Sequence, residues 1–266
     1  MKIARYETDE GTFWGVLEGD VLHRLPGDPF GALVPTDTRD RLQAVRLLAP
    51  VRPGCVFGVG LNYVAHIAEA GAATPEIPLL FMKPPGAVIG PGAPIPYPPE
   101  AGELHFEAEL AVVIGRAGRR IPPERALEHV LGYTCANDIS ERVIQKREMA
   151  QGALLICKGH DGFCPLGPVI ATDLDPAALR IGARVNGVLR QDSNSADLLF
   201  SVAELVSYLS RAITLQPGDV ILTGTPSGVG PVVPGDEVEI FVEGVGSLVN
   251  PVVAEADLPQ PGPAPR

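Results

Sequence analysis

Short runs of alternating apolar and polar residues dominate the chain, and they predict β-strands rather than long helices. Three such runs fill the first 25 residues and are separated by the turn-forming segments DEG and EGD: MKIARYE, TFWGVLE and VLHRL. Runs of this length with turn residues between them are typical of an antiparallel meander. A polar, proline-containing stretch follows to about residue 46. We therefore expect a small β-rich N-terminal domain over residues 1–50.

Beyond residue 50 the same patterning predicts further strands, among them CVFGVG, HFEAELAVVIG, YTCANDIS, DVILTGTP and EVEIFVEG. Asn186-Gly187 lies between two strand-like flanks and predicts a type I′ hairpin, because both residues tolerate a positive φ. Strands outnumber helices and do not alternate with them regularly, as they would in a doubly wound sheet. The pattern therefore predicts an α+β protein that is mainly β.

Three segments carry helix signals. Asn62 is a favoured N-cap residue for NYVAHIAEA, a short helix that Gly71 would end. PPERALEHVL starts with two prolines, which a helix tolerates in its first turn. SVAELVSYLSRAI combines an apolar stripe with a capping box between Ser201 and Glu204, and it is the clearest helix in the chain.

Composition and charge narrow the classes of function. The chain has 266 residues, of which 45% are hydrophobic and 20% charged, which is typical of a globular protein with a full core. Its formal net charge of -11 repels nucleic acid and anionic membranes, so we expect neither as a partner. No apolar run has the length of a signal-peptide core or a membrane span, and we expect a cytoplasmic protein. The four cysteines form no CxxC pair, which favours buried free thiols.

Two carboxylates lie two positions apart in the most apolar predicted strand. Glu107 and Glu109 would point to the same face of that strand, and Phe106 and Ala108 to the other. Two like charges on a partly buried face repel each other, and a divalent cation would remove that cost. Asp138 ends the next strand, after a predicted helical crossover, and could lie alongside. Such an all-oxygen set suits Mg²⁺ or Mn²⁺, with Ca²⁺ also compatible, whereas a solvated sheet face is the ordinary alternative.

Other polar residues are candidates for catalysis or binding. His66 and Glu69 lie three apart on the first helix and share a face, as a general base and its orienting carboxylate would, or as a surface ion pair would. His105 adjoins the carboxylate strand and could be an additional ligand or a group that supports the ligands from behind. Lys158 lies in a stretch rich in loop-forming residues, where it could bind a substrate carboxylate or stay solvated. The loop around Thr225 offers a hydroxyl and backbone N–H groups to an anion.

Seven segments occur in the order and spacing of a known family: GLNYVAHIAEAG, FMKP, HFEAELAVVIG, GYTCANDISERVIQ, KGHDGFCPLGP, VNGVLRQ and ITLQPGDVILTGTPSGVG. From about Pro53 to Val253 the chain therefore resembles the fumarylacetoacetate hydrolase superfamily. The closing segment VVPGDEVEIFVEGVGSLVN resembles the 2-hydroxyhepta-2,4-diene-1,7-dioate isomerase and 5-carboxymethyl-2-oxo-hex-3-ene-1,6-dioate decarboxylase type.

The resemblance implies a mixed β-roll for residues 51–254, after the N-terminal domain and before a Pro-rich tail over residues 255–266. It also implies a homodimer that requires Mg²⁺ or Mn²⁺. By motif position it implies a role for nine residues: metal ligands Glu107, Glu109 and Asp138; a proton-transfer dyad of His66 and Glu69 on a lid helix; a site lysine, Lys158; and substrate contacts from Arg142, Gln145 and Thr225.

The resemblance further implies an enzyme of aromatic-compound degradation. It would act through an enolate on a 2-oxo or 2-hydroxydienoic dicarboxylic acid, as an isomerase or decarboxylase. Acylpyruvate hydrolysis and oxaloacetate decarboxylation are the alternatives, and a non-catalytic binding protein would have lost the dyad or the ligands. Two departures from the family pattern border the site: Val143 replaces an acidic residue, and Gly159-His160 replaces Ser-Phe. They leave the substrate open and do not affect the metal ligands.

Overall fold

The strands of the N-terminal meander are part of a much larger sheet. The computed structural model describes residues 1–259, and its first strands are β1 (Lys2–Thr8), β2 (Gly11–Glu18), β3 (Val21–Arg24), β4 (Arg39–Arg41) and β5 (Arg46–Leu48). The first three pair antiparallel in succession, as the sequence predicted. Lys2 and Ile3 also lie opposite Ala171 and Ile170. The N-terminal strands and the remainder of the chain therefore share a hydrogen-bonded ladder.

The remaining elements follow in chain order. The first group comprises β6 (Val56–Gly60), α1 (Val64–Glu69), β7 (Leu79–Lys83), β8 (Val88–Ile89), β9 (Ile95–Tyr97), β10 (Leu104–Phe106), β11 (Ala108–Ile114), β12 (Val130–Asn137) and β13 (Ser140–Glu141). The second comprises α2 (Arg142–Met149), α3 (Ile156–Gly159), β14 (Cys164–Ala171), β15 (Arg180–Val185), β16 (Val188–Asn194), α4 (Val202–Ser210), β17 (Val220–Leu222), β18 (Gly230–Val232), β19 (Glu237–Val242) and β20 (Gly246–Ala254).

These strands form three sheets. The largest has the order β4-β3-β2-β1-β14-β12-β11-β17-β6-β7, with β5 beside β1 and β8 beside β14. A sheet of five strands has the order β16-β15-β19-β20-β9, and a sheet of three strands has the order β13-β10-β18. Both parallel and antiparallel pairs occur, and the fold is the predicted mainly β, α+β type.

The central strand β11 is buried on both faces, which is why its sequence reads as a nearly continuous apolar run. Leu110, Val112 and Ile114 belong to the larger hydrophobic cluster of the protein. Ala111 and Val113 belong to a second cluster on the opposite face. A charged residue in this strand is therefore surrounded by protein, and it needs polar partners.

The helical predictions were partly right. Helix α4 has the predicted capping box between Ser201 and Glu204, and its apolar stripe is buried. Helix α1 follows Tyr63 instead of the predicted N-cap Asn62, whose amide group binds the backbone of Phe200 and Thr223. That N-cap prediction was wrong because distant carbonyl groups compete for the same side chain.

The predicted helix in PPERALEHVL is a 3₁₀ segment over Pro123–His129, because strand β12 begins directly after it. The predicted turn at Asn186-Gly187 is confirmed, since both residues have positive φ. No helix within residues 1–259 has both the length and the apolar character needed to cross a membrane. A short 3₁₀ turn, Glu255–Asp257, ends the described chain, and the rest of the predicted Pro-rich tail, residues 260–266, lies outside the described residues.

Candidate metal centre and active site

A break in the predicted carboxylate strand brings the acidic residues together. The segment HFEAELAVVIG forms two strands, β10 and β11, and Glu107 lies between them where the chain passes from the small sheet into the large one. Ala108 lies opposite Asn137 in the antiparallel β11–β12 ladder, so Asp138 follows beside Glu107 and donates its N–H to the Glu107 carbonyl at 2.9 Å. The predicted helical crossover was wrong, because β12 returns antiparallel after a 3₁₀ segment.

The three predicted ligands form one buried cluster. Glu107, Glu109 and Asp138 each place a carboxylate oxygen within 4.8 Å of the other two. Alternation along one strand does not explain this, since the strand is interrupted at Glu107. The antiparallel register with β12 explains it, because that register sets the end of one strand beside the start of its neighbour.

Two predicted site cations hold one side of the cluster. Lys158 Nζ donates to Glu107 Oε2 at 2.8 Å and to Asp138 Oδ2 at 2.6 Å. Arg142 Nη2 donates to Glu107 Oε1 at 2.6 Å. Burial alone would lower the pKa of the Lys158 ammonium, but the two carboxylates outweigh it and raise that pKa. Lys158 is therefore a charged, buried group that fixes two of the three acidic side chains.

The sequence reading assigned no role to Lys83, a third cation at this site. Its ammonium is fully buried and donates to Asp138 Oδ1 and, at 3.2 Å, to the carbonyl of Ile139. The sequence contained a signal for this role: Lys83 ends the apolar run LLFMK. A charge there is costly without a partner, which indicates a paired, buried lysine.

Glu109 differs from the other two carboxylates because no cationic side chain within residues 1–259 contacts it. Its Oε2 accepts a hydrogen bond of 2.6 Å from the N–H of Gly224. Burial raises the pKa of Glu109 well above its usual range, and the charges of Asp138 and Glu107 raise it further. Burial also raises the pKa of Glu107, but Lys158 and Arg142 outweigh that effect and lower it. A divalent cation would offset the uncompensated charge of Glu109, so the donor set fits Mg²⁺ or Mn²⁺.

The predicted dyad is formed on helix α1. His66 Nδ1 and Glu69 Oε2 lie 2.9 Å apart, and Glu69 Oε1 accepts a hydrogen bond of 2.9 Å from the N–H of Gly228. Both side chains line the cavity that contains the three carboxylates. The backbone contact at Gly228 orients the glutamate and, through it, the imidazole.

The Thr225 loop is held by two side chains that the sequence reading did not assign to the site. Gln191 donates from Nε2 to Thr225 Oγ1 at 2.8 Å, while its Oε1 accepts from the N–H of Ala108 at 2.9 Å. Asn62 donates to the Thr223 carbonyl at 2.7 Å. Gly224 has a φ of +101°, and a Cβ there would lie 2.7 Å from Asn62 Cβ, so the loop requires glycine. These contacts place the Thr225 hydroxyl at the cavity wall.

Helix α2 forms another wall of the cavity, which has a volume of about 430 Å³. Arg142 Nη1 donates to Gln145 Oε1 at 2.8 Å, so the two predicted substrate contacts are coupled. The apolar part of the wall includes Leu79, Phe81, Met149 and Leu154.

His105 lies on the cavity wall but outside the carboxylate cluster. Its Nε2 lies 2.6 Å from Glu103 Oε1, so this nitrogen is engaged with a residue outside the cluster, and a role of His105 as a ligand or behind the ligands stays a prediction. Burial lowers the pKa of His105 more than Glu103 raises it.

The chain is similar to proteins of known family. The family model described as fumarylacetoacetate (FAA) hydrolase C-terminal matches residues 55–253, and one described as Rv2993c-like, N-terminal, matches residues 1–50. The bovine mitochondrial oxaloacetate tautomerase FAHD2B is 44% identical over 220 residues, which cover 79% of this chain and 70% of that protein.

Solved structures match over nearly the whole chain. The 5-carboxymethyl-2-hydroxymuconate delta-isomerase of Mycobacterium smegmatis is 46% identical with a TM-score of 0.90, covering 96% of this chain and 100% of that one. The 2-hydroxyhepta-2,4-diene-1,7-dioate isomerase of Mycobacterium marinum is 40% identical with a TM-score of 0.89, covering 97% and 100%. The maleylpyruvate hydrolase of Sphingobium sp. SYK-6, described in complex with manganese(II) and pyruvate, is 32% identical with a TM-score of 0.79, covering 96% and 99%. The motifs, the fold and these matches together show that the chain belongs to the fumarylacetoacetate hydrolase superfamily of enzymes.

Proposed function

We propose that this chain is a divalent-metal-dependent isomerase or decarboxylase of 2-oxo or 2-hydroxydienoic dicarboxylic acids, of the 2-hydroxyhepta-2,4-diene-1,7-dioate type. One observation carries the proposal: the buried carboxylate cluster and the His66–Glu69 pair line the same cavity. That combination puts a cation site beside a group able to move a proton. The predicted homodimer, cytoplasmic location and place in aromatic degradation stay predictions.

The carboxylate cluster would hold the metal, whose contribution is Lewis-acid chemistry toward a 2-oxo acid. Lys158 and Arg142 keep Glu107 ionised and in place, since they donate to its two oxygens at 2.8 and 2.6 Å. Asp138 is held by Lys158 and by Lys83. The chain's own cations therefore fix the ligands in position before any substrate enters.

His66 is the group placed for proton transfer. Since Nδ1 faces Glu69, Nε2 is the ring nitrogen left to remove a proton from a substrate carbon and to return it at another. The Thr225 hydroxyl accepts from Gln191, so its own proton is free to donate to a substrate carboxylate. Helix α1 has only six residues, and it can close over the cavity as a short lid.

The comparisons support isomerisation over other outcomes at this site. Proteins named delta-isomerase, dioate isomerase and tautomerase are 40–46% identical to the chain, and each of these names describes the relocation of a proton. A proton shift needs one acid–base group near the cation site, and His66 supplies it. Neither the cluster nor the dyad distinguishes isomerisation from decarboxylation.

A second candidate function is hydrolysis of the C–C bond of an acylpyruvate. The same Nε2 of His66 could activate a water molecule, and the maleylpyruvate hydrolase has the same fold at 32% identity. The identity is lower than that of the isomerases, so we rank hydrolysis second.

A substrate panel assayed with and without metal tests the proposal. The protein is stripped with a chelator, and Mn²⁺ or Mg²⁺ is added back during steady-state assays on 2-hydroxyhepta-2,4-diene-1,7-dioate, an acylpyruvate and oxaloacetate. We expect negligible activity without metal and a kcat/KM for the seven-carbon dioate about 10-fold or more above that for the acylpyruvate. Unchanged activity in the stripped protein would contradict the metal requirement, and faster acylpyruvate cleavage would make hydrolysis the function.

A further inference from the structure

One face of helix α2 lines the cavity that contains the carboxylate cluster. Arg142, Gln145, Lys146 and Met149 all line the cavity, and their spacing of three and four residues places them on a single helical face. Arg142 touches Glu107 and Gln145 touches Arg142, so the first turn belongs to the site already described. Lys146 lies one turn farther along, about 6 Å from Arg142 along the helix axis.

The ammonium group of Lys146 is free to bind a ligand. Within residues 1–259 its ammonium makes no hydrogen bond and no ion pair, and the side chain is exposed to solvent. Glu103 is close enough to attract it, but the Glu103 carboxylate already lies 2.6 Å from His105 Nε2. The other two cations of the wall, Arg142 and Lys158, are both engaged with Glu107.

Part of the cavity wall is apolar. Leu79, Phe81, Met149 and Leu154 line it, and such side chains suit the carbon chain of a substrate and offer nothing to an anion. A ligand with its 2-oxo acid group at the carboxylate cluster would therefore have apolar side chains beside its carbon chain, and Lys146 is the cation of the cavity wall that is not engaged with Glu107.

We propose that Lys146 binds the distal carboxylate of the substrate and makes the site selective for 2-oxo dicarboxylates over 2-oxo monocarboxylates. This inference rests on the proposed function and adds a specificity-determining residue to it. The contact is a charge-assisted hydrogen bond, which is stronger than a bond between neutral groups.

Binding of two matched seven-carbon acids tests the inference without requiring turnover. The probes are 2-oxoheptanedioate and 2-oxoheptanoate, which differ only in the second carboxylate, and their Kd values are measured by calorimetry on the Mn²⁺-loaded protein. We expect Lys146→Gln to weaken binding of the dioate by about 10-fold and to leave the monoacid within about twofold. Lys146→Arg should retain most of the preference for the dioate.

Arg147→Gln is the matched control, because Arg147 is the adjacent exposed cation on α2 and lies off the cavity-lining face. It removes the same charge from the same helix, so a general electrostatic effect would appear in both variants. Equal losses in the Lys146 and Arg147 variants, or equal losses for the two acids, would overturn the inference. If wild-type protein binds the acids equally well, the inference fails while the proposed function stands; if it binds neither, both fail.

Discussion

Among the three carboxylates of the cluster, Glu109 receives the least compensation from the cationic side chains of residues 1–259. Glu107 and Asp138 each contact buried cations, whereas Glu109 receives one backbone hydrogen bond from Gly224. An unpaired carboxylate next to two others is costly in a buried site, and a divalent ion is the simplest partner for it. We therefore expect Glu109 to decide whether the cluster binds metal, and His66 to decide whether a proton moves.

This division of roles gives a paired prediction. Glu109→Gln should reduce bound Mn²⁺, measured by elemental analysis after gel filtration, to below about a tenth of the wild-type level, since one charged ligand is lost. His66→Ala should retain wild-type metal content and lose about 10²- to 10⁴-fold in kcat, because only the proton-transfer group is removed. Full metal content in the Glu109 variant would contradict the first role, and full turnover in the His66 variant would contradict the second.

At the residue scale, the sequence predicted which residues line the site better than it predicted the contacts that hold them in place. The family resemblance implied that the three carboxylates, the dyad and Lys158 share one site, and in the structure all of them line one cavity. The supporting residues Lys83, Asn62 and Gln191 were not predicted, since their partners lie 34 to 161 positions away in the chain. Hydrogen bonds over such separations leave no local pattern.

Among the elements, the connection from α2 to α3 controls the position of Lys158. Glu148, near the end of α2, accepts hydrogen bonds from the N–H groups of Ile156 and Cys157 at 2.9 Å and of Leu155 at 3.2 Å. These donors lead into and begin the four-residue helix that carries Lys158, and so short a helix has no intrinsic stability in water. The Glu148 carboxylate thus anchors the segment that contains Lys158.

We expect Glu148→Ala to lower the free energy of unfolding by about 1–3 kcal/mol, since it removes a charged acceptor that three N–H groups at the start of α3 share. Glu148→Gln should lose less, because one amide oxygen remains. Burial raises the pKa of Glu148, but hydrogen bonds from the Cys157 thiol and from these N–H groups outweigh it and lower the pKa. The contribution of the charge is therefore complete above the unfolded pKa of about 4.3 and is lost as pH falls through the folded pKa.

Urea unfolding of wild type and the Gln variant at pH 7 and pH 3 measures that charge contribution, with Arg147→Ala as a control on the exposed face of α2. The difference between wild type and the Gln variant should shrink at the lower pH. A difference that does not change with pH would mean that the Glu148 charge has no role in anchoring α3.

Element types were predictable where local signals and tertiary packing agree. The capping box of α4 and the hairpin at Asn186-Gly187 are examples, since side chain and backbone satisfy each other within a few residues. The break at Glu107 was not predictable, because it arises where β10 pairs with β18 and β11 with β12, in different sheets. A continuous strand pattern carries no information about which sheet each half joins.

On the scale of the whole molecule, the boundary near residue 50 stays a prediction, and the structure provides a way to test it. Strand β1 pairs with β14, and Ile3 is fully buried in a cluster with Ile170. Trp14, the single tryptophan, lies in β2, so its fluorescence reports on the N-terminal strands, whereas far-ultraviolet circular dichroism reports on the whole chain. Because the two regions share a ladder and a core, we expect the two signals to change together in urea.

Ile3→Ala should shift both transitions by the same amount, with a loss of about 2–4 kcal/mol, because it opens a cavity in the shared cluster. Val34→Ala is the matched control: it also shortens an aliphatic residue of the N-terminal region, but Val34 is 68% exposed, so its effect should stay within about 0.5 kcal/mol. If the Trp14 signal changed at lower urea than the circular dichroism, and Ile3→Ala moved only that first transition, residues 1–50 would unfold as a separate domain. Coincident transitions that move together would instead mean that the N-terminal strands are part of the scaffold that holds the carboxylate cluster.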